Sequence, residues 1–153
     1  MGSVVCCCGA GDALHTLFFN CVWMVSDTTM KAIILFAHGS RDPLWHAPIK
    51  AIASRVKTIS PAQEVRCAYL ELTEPSLMQV AVELSSLGCK ELHITPLFLG
   101  VGKHAREDLP HLVQELRAAF PSIQITCAPS IGEDQRVIEL IAKVSLDPHT
   151  SAA

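Results

Sequence analysis

The sequence predicts a three-layer α/β/α fold around a four-stranded parallel sheet. Three observations carry that expectation. Short, continuous apolar runs alternate with stretches of helical apolar spacing, the pattern of a parallel sheet covered on both faces. Pro61, Pro75, Gly88 and Pro121 punctuate those stretches. A length of 153 residues with 50% hydrophobic content suits one domain with a real core and is too short for two ordinary ones.

The elements follow in order. Lys31–Ala37 (KAIILFA) is a continuous apolar run, the mark of a strand buried on both faces. Ala47–Ile59 places Ile49, Ile52, Ala53 and Val56 at helical spacing, and Pro61 lies just beyond it. Residues 65–72 (VRCAYLEL) read as a second strand. Pro75 opens a helix that runs to residue 87 and is closed by Gly88. Residues 91–99 (ELHITPLFL) form a third strand. A helix over 105–120 follows, with Pro110 in or near its first turn and Pro121 past its end. Residues 123–128 give a fourth strand, 134–145 a last helix, and 147–153 a frayed tail. Right-handed crossovers then imply the strand order 2-1-3-4, with the topological switch point between strands 1 and 3.

Charge and cysteine narrow the function classes. A net charge of −3 argues against a nucleic-acid binder, which needs a basic surface. All 12 Lys and Arg fall after Met30, whereas residues 1–30 hold only Asp12 and Asp27 and four of the seven cysteines. Residues 1–29 therefore read as an extension foreign to the rest. It lacks the positive flank of a signal peptide, and its apolar run over 17–25 is too short to span a bilayer. Cys6 stands where a myristoylation pattern wants Ser or Thr. Met30, directly before the first strand, is an alternative start. The scattered Cys67, Cys89 and Cys127 make no CxxC pair and read as reduced thiols of a cytoplasmic protein with no membrane partner.

Ligands of open parallel sheets bind beyond the carboxyl ends of the strands, at the switch point. The loops there are rich in chemistry. His38-Gly39-Ser40-Arg41-Asp42-Pro43 follows the first strand, and Gly100-Val101-Gly102-Lys103-His104 follows the third. Glu71-Leu72-Thr73-Glu74-Pro75-Ser76 follows the second, and Ile131-Gly132-Glu133-Asp134 the fourth. His38 and His104 would meet on adjacent strand ends, where two imidazoles suit a borderline metal such as Co, Ni, Fe or Zn. Two are too few for a closed structural site, so such a pair would hold an ion loosely enough to release it. The alternative for each is a hydrogen bond to loop backbone. Glu74 either faces the crevice as a proton acceptor or complements the dipole of the following helix. Glu71 is still within the expected strand. His46, His93 and His111 fall on helices or a strand and read as structural. GVGKHA lacks the third glycine of a dinucleotide fingerprint, and no P-loop is present.

Four segments carry a resemblance: FAHGSRDP, LELTEPSL, TPLFLGVGKHAREDLP and PSIGED. In this order and spacing they resemble the small CbiX-type sirohydrochlorin chelatases, members of the ATP-independent class II tetrapyrrole chelatases. The resemblance runs from about Lys31 to Leu146. It implies a chelatase-like half-domain over residues 30–146 that pairs as a homodimer. It implies insertion of Co²⁺, Fe²⁺ or Ni²⁺ into sirohydrochlorin, in cobalamin or sirohaem biosynthesis. The metal is a substrate there, and no prosthetic group is implied. Position by position, His38 and His104 resemble the metal-binding pair. Glu74 resembles a tetrapyrrole-contacting carboxylate, and Leu99, Gly100, Val101, Gly102, Lys103 and His104 the macrocycle-binding segment.

The chemistry suits those residue types. Two pyrrole N–H protons must leave while the metal sheds its ligands, and a histidine, with an unperturbed pKa of roughly 6.5, can both hold an ion and accept a proton. Arg41, Lys103 and Arg106 are the cations nearest the expected cleft for a polycarboxylate ring; Arg106 alternatively pairs with Glu107. Two other functions use the same residues. A non-enzymatic metal or tetrapyrrole carrier needs only the two histidines. Phosphoryl transfer on a flavodoxin-like fold is invited by His38-Gly39, but Ala37 stands where a histidine phosphatase has its arginine.

Overall fold

A computed structural model describes residues 29–100 and 102–147, and for residues 103–105 the backbone alone. The expectations for residues 1–28, for Val101 and for the tail beyond 147 lie outside the described residues. Strands β1 (Lys31–Ala37), β2 (Glu64–Tyr69), β3 (Glu91–Pro96) and β4 (Gln124–Cys127) form one parallel sheet in the order β2-β1-β3-β4, as expected. Helices α1 (Ala47–Ile59), α2 (Leu77–Ser86), α3 (Lys103–Ala119) and α4 (Gln135–Leu146) alternate with them. Short 3-10 turns at Pro43–His46 and Ile131–Glu133 were not anticipated. Among the described residues, no helix is long and apolar enough to cross a membrane.

β1 explains the sheet. Its residues alternate between faces, and both faces are covered. Ile34 and Phe36 pack with Val80 and Leu84 of α2 and Val113 and Leu116 of α3. Leu35 and Ala37 pack with Ile49 of α1, beside Val65 and Tyr69 of β2. An unbroken apolar run is what a central strand needs in that position.

Beyond shifts of a single residue, four boundaries differ from the sequence reading, each for a local reason. β2 stops at Tyr69 rather than 72, because Leu72 takes a left-handed φ of 66° and turns the chain. β3 ends at Pro96, which has no N–H to continue the ladder. α2 begins at Leu77 because Ser76 is its cap: the Ser76 hydroxyl accepts from the Gln79 N–H at 3.3 Å, and the Ser76 N–H donates to the Gln79 side chain at 2.6 Å. α3 begins at Lys103, capped by extended Gly102, so Pro110 lies inside the helix and not in its first turn. The ring removes one helical hydrogen bond; buried Leu109, Val113 and Leu116 hold the segment helical across it.

α4 is different in kind. Asp134 caps it, accepting from the Arg136 N–H at 2.9 Å. Hydrogen bonds from the Arg136 side chain and backbone pull the Asp134 carboxyl down to about 2. The cap is therefore complete above the ordinary carboxylate range and lost only as pH falls through about 2. Beyond this start, the only substantial packing of α4 among the described residues is with the Ile131–Glu133 turn. Ile138, Leu140, Ile141, Val144 and Leu146 are exposed. On the sheet face that carries α1, residues His93 of β3 and Gln124 and Thr126 of β4 are exposed as well.

Candidate functional site

The site begins with a glycine. Gly39 follows β1 at φ +101°, in the left-handed region that glycine tolerates, and a Cβ there would collide with the Glu71 carbonyl. Because Gly39 has none, the loops after β1 and β2 close on one another. The Leu70 N–H donates to Ala37 O at 2.9 Å, and the Glu71 N–H donates to His38 O at 3.0 Å. That pairing sets His38 Nδ1 3.4 Å from Glu71 Oε1, with both side chains about half exposed.

His46 supports this loop from behind. Its Nε2–H donates to Ser40 O at 3.0 Å, and its ring stands edge-on to Trp45 and Tyr69. The carbonyl acceptor fixes the proton on Nε2, and the buried Nδ1 has no partner. The structural reading of His46 holds, with a use: it ties down the residues next to His38.

α3 supplies the opposite wall. Glu71 lines a cavity of about 430 Å³ with Leu70 and with Asp108, His111 and Leu112 of α3. His104 stands in the first turn of that helix, one turn before Asp108. The β1 and β3 ends are adjacent, since β1 pairs with β3 and the Leu97 N–H donates to Phe36 O at 2.7 Å. The backbone positions of His38 and His104 thus belong to the same edge of the sheet. The side chains of Lys103 and His104 lie outside the described residues. Among the described residues, no three His, Cys, Asp or Glu side chains assemble a metal site.

Glu74 is not brought to His38. It lines a separate cavity of about 330 Å³ with His46, Lys50, Cys67, Tyr69 and Thr73. The turn at Leu72 divides the two carboxylates. Glu71, left within a strand by the sequence reading, is the carboxylate beside His38. His111, read as structural, lines the Glu71 cavity. The spacing of His104, Asp108 and His111, four and then three residues apart, repeats along one helical stripe and was the available signal. Leu99 and Gly100 are exposed, and the Leu99 carbonyl packs where a Cβ on Gly132 would collide with it. Arg106 lines a different groove, with Arg117 and Cys127, on the β4 side. His93 lies on the α1 side of the sheet, its Nδ1 2.9 Å from the Thr126 hydroxyl. Burial raises the thiols of Cys67, Cys89 and Cys127, which fits inert core cysteines.

The comparisons with known proteins agree on one family. The CbiX family model matches residues 32–147. A sirohydrochlorin cobaltochelatase of Methanopyrus kandleri is 29% identical over 84 residues, 55% of this chain and 59% of that relative. The match thus spans about three fifths of the relative's length. A CbiX protein from Marinobacter aquaeolei VT8, named for cobalamin biosynthesis, superposes with a TM-score of 0.67 at 31% identity, covering 77% of this chain and 96% of that one. The sirohydrochlorin chelatase SirB of Bacillus subtilis subspecies spizizenii, solved with cobalt, gives a TM-score of 0.67 at 26% identity, covering 78% of this chain and 51% of SirB.

Proposed function

This chain belongs to the CbiX family, and on that premise we propose that it inserts a divalent metal ion into sirohydrochlorin. The observation that carries the reading is the His38–Glu71 pair at 3.4 Å, with Glu71 lining the cavity that Asp108 and His111 of α3 wall. The ion is substrate, with Co²⁺ first and Fe²⁺ or Ni²⁺ as alternatives; SirB neighbours solved with cobalt and with iron support a site for either of those ions. The reaction belongs to the cytoplasm.

His38 and His104 hold the ion through neutral imidazole nitrogens, and Glu71 adds an oxygen donor. As the ion moves to the macrocycle, the freed imidazole accepts a pyrrole proton. The adjacent Glu71 carboxylate gives that proton a second base. Glu74 acts at the rim as a macrocycle contact, and the segment 99–104 lies against the ring. One chain offers one such edge, so the working form is a homodimer that encloses the macrocycle between two copies. That the match to SirB takes up half of the SirB chain supports this reading.

Anaerobic incubation with sirohydrochlorin and Co²⁺, Fe²⁺ or Ni²⁺ in turn, followed by absorbance, tests the assignment. At least one ion is inserted faster than in protein-free buffer. Binding of ring or ion with no acceleration for any of them makes the protein a carrier and rejects the enzyme.

A further inference from the structure

Leu72 is placed at a double disadvantage. Its φ of 66° makes it the only non-glycine residue with a left-handed backbone among those described. That conformation crowds any Cβ and suits bulky side chains least. Burial does not compensate, because the side chain is left 53% exposed. The turn is imposed by closure of the loops. The Glu71 N–H donates to His38 O at 3.0 Å, and the Glu71 carbonyl lies where a Cβ on Gly39 would be, so the chain reverses at the next residue. Glycine or asparagine makes such a turn with less strain. A strained leucine that neither the turn nor the core requires, held next to a candidate site, points to a use for its side chain.

Leu72 is one of three. Single exposed leucines are ordinary, but here the connections after three neighbouring strands each present one. Leu44 follows β1 at 80% exposure, Leu72 follows β2, and Leu99 follows β3 at 69%. Those strands are adjacent in the order β2-β1-β3, and their ends span about 10 Å of one sheet edge. Each leucine has a pinned backbone and a free side chain. The Leu44 N–H donates to the Asp42 carboxylate at 2.9 Å. The Leu99 carbonyl packs on Gly132, whose N–H donates to Phe98 O at 3.0 Å. His38 and Glu71, 3.4 Å apart, occupy the same edge. The edge thus offers apolar side chains beside a polar centre, set in place before any ligand arrives.

We propose that Leu72 seats one face of the tetrapyrrole macrocycle and helps select it, with Leu44 and Leu99 extending the same apolar rim. The inference rests on the function proposed above and adds a residue which that reading does not use. The chemistry of the ligand matches the edge. A tetrapyrrole is flat, its conjugated faces are apolar, its nitrogen centre is polar, and carboxylates fringe this one. Leu72 stands between Glu71, which lies beside the imidazole of His38, and Glu74 at the rim. A ring face resting on Leu72 removes apolar surface from water on both partners. The fixed backbone means that little ordering is needed on binding.

The test measures binding of metal-free sirohydrochlorin to the full 153-residue chain by anaerobic fluorescence titration, separately from turnover. Leu72→Asn tolerates the left-handed backbone but removes the apolar contact. It raises the urea midpoint and weakens ring binding about 10-fold, while the affinity for Co²⁺ stays at the wild-type value. In turnover the loss falls on KM and not on kcat. Leu72→Met returns apolar surface and recovers most of the ring affinity without the gain in midpoint. A variant that is more stable yet binds the ring less well is an outcome that no purely structural role for Leu72 produces. Wild-type ring affinity in Leu72→Asn overturns the proposal. So does a lowered midpoint or a failure to fold, either of which assigns the leucine to the fold. A wild type that binds the ring, loses affinity on Leu72→Asn and inserts no metal upholds the seat and retires the enzyme. A wild type that binds no ring rejects both.

Discussion

Replacing His38 with alanine lowers the rate of metal insertion at least about 100-fold, the usual scale for losing a group that both holds an ion and moves a proton. The fold survives the change. His38 is about half exposed and its backbone bond to the Glu71 amide does not need the imidazole, so the unfolding free energy from urea titration changes by no more than the ordinary surface range, about 0.5 kcal/mol. His104→Ala gives a loss of similar size. Glu71→Gln keeps the shape of the pair but removes the charge, and it costs less, about 10-fold, because one base remains. Parallel titrations with Co²⁺ separate binding from proton transfer: both histidine variants lose affinity for the ion as well as turnover. Wild-type rates from either histidine variant remove that imidazole from the mechanism.

Gly39→Ala damages the site without touching a donor. At φ +101° an alanine is strained, and its Cβ meets the Glu71 carbonyl. Strain of this kind costs about 1–3 kcal/mol, and relief requires the loops after β1 and β2 to part. Stability and insertion therefore fall together. Combining the change with Glu71→Ala brings no recovery of stability, because the collision is with backbone and not with the carboxylate. Denaturant midpoints of the single and double variants check this. A midpoint restored by Glu71→Ala places the conflict in the side chain and contradicts the account.

The sheet was legible because its physics is local and repetitive. KAIILFA can be buried on both faces only as a central strand, and the crossover rule then orders the rest. The precise strand ends were not legible. Residues 65–72 look equally strand-like throughout, and the turn at Leu72 comes from tertiary closure against Gly39, which no window of apolar spacing contains. The same closure decides which carboxylate lies beside His38. Glu71 and Glu74 differ little in sequence context, and only the pairing of Glu71 with the His38 carbonyl brings one of them to the imidazole. His38 and the loop before α3 were readable as strand-end residues at the switch point. His111 offered only its helical spacing from His104 and Asp108, because the cavity it shares with Glu71 is formed between a helix and a loop far apart in the chain. α4 satisfied every helical pattern rule and still gave no hint that it would leave its own sheet.

One bond described above ties the donors to the architecture. Glu71 gives its amide to His38 and sets its carboxylate beside the same residue, so the grip on an ion and the seam between β1 and β2 open as one event. Under the function proposed, an ion seated there would clamp that seam, and the free energy of its capture would be returned as resistance to melting. The melting temperature thus serves as a gauge of occupancy: it climbs with the logarithm of free metal and relaxes once the ion has been delivered.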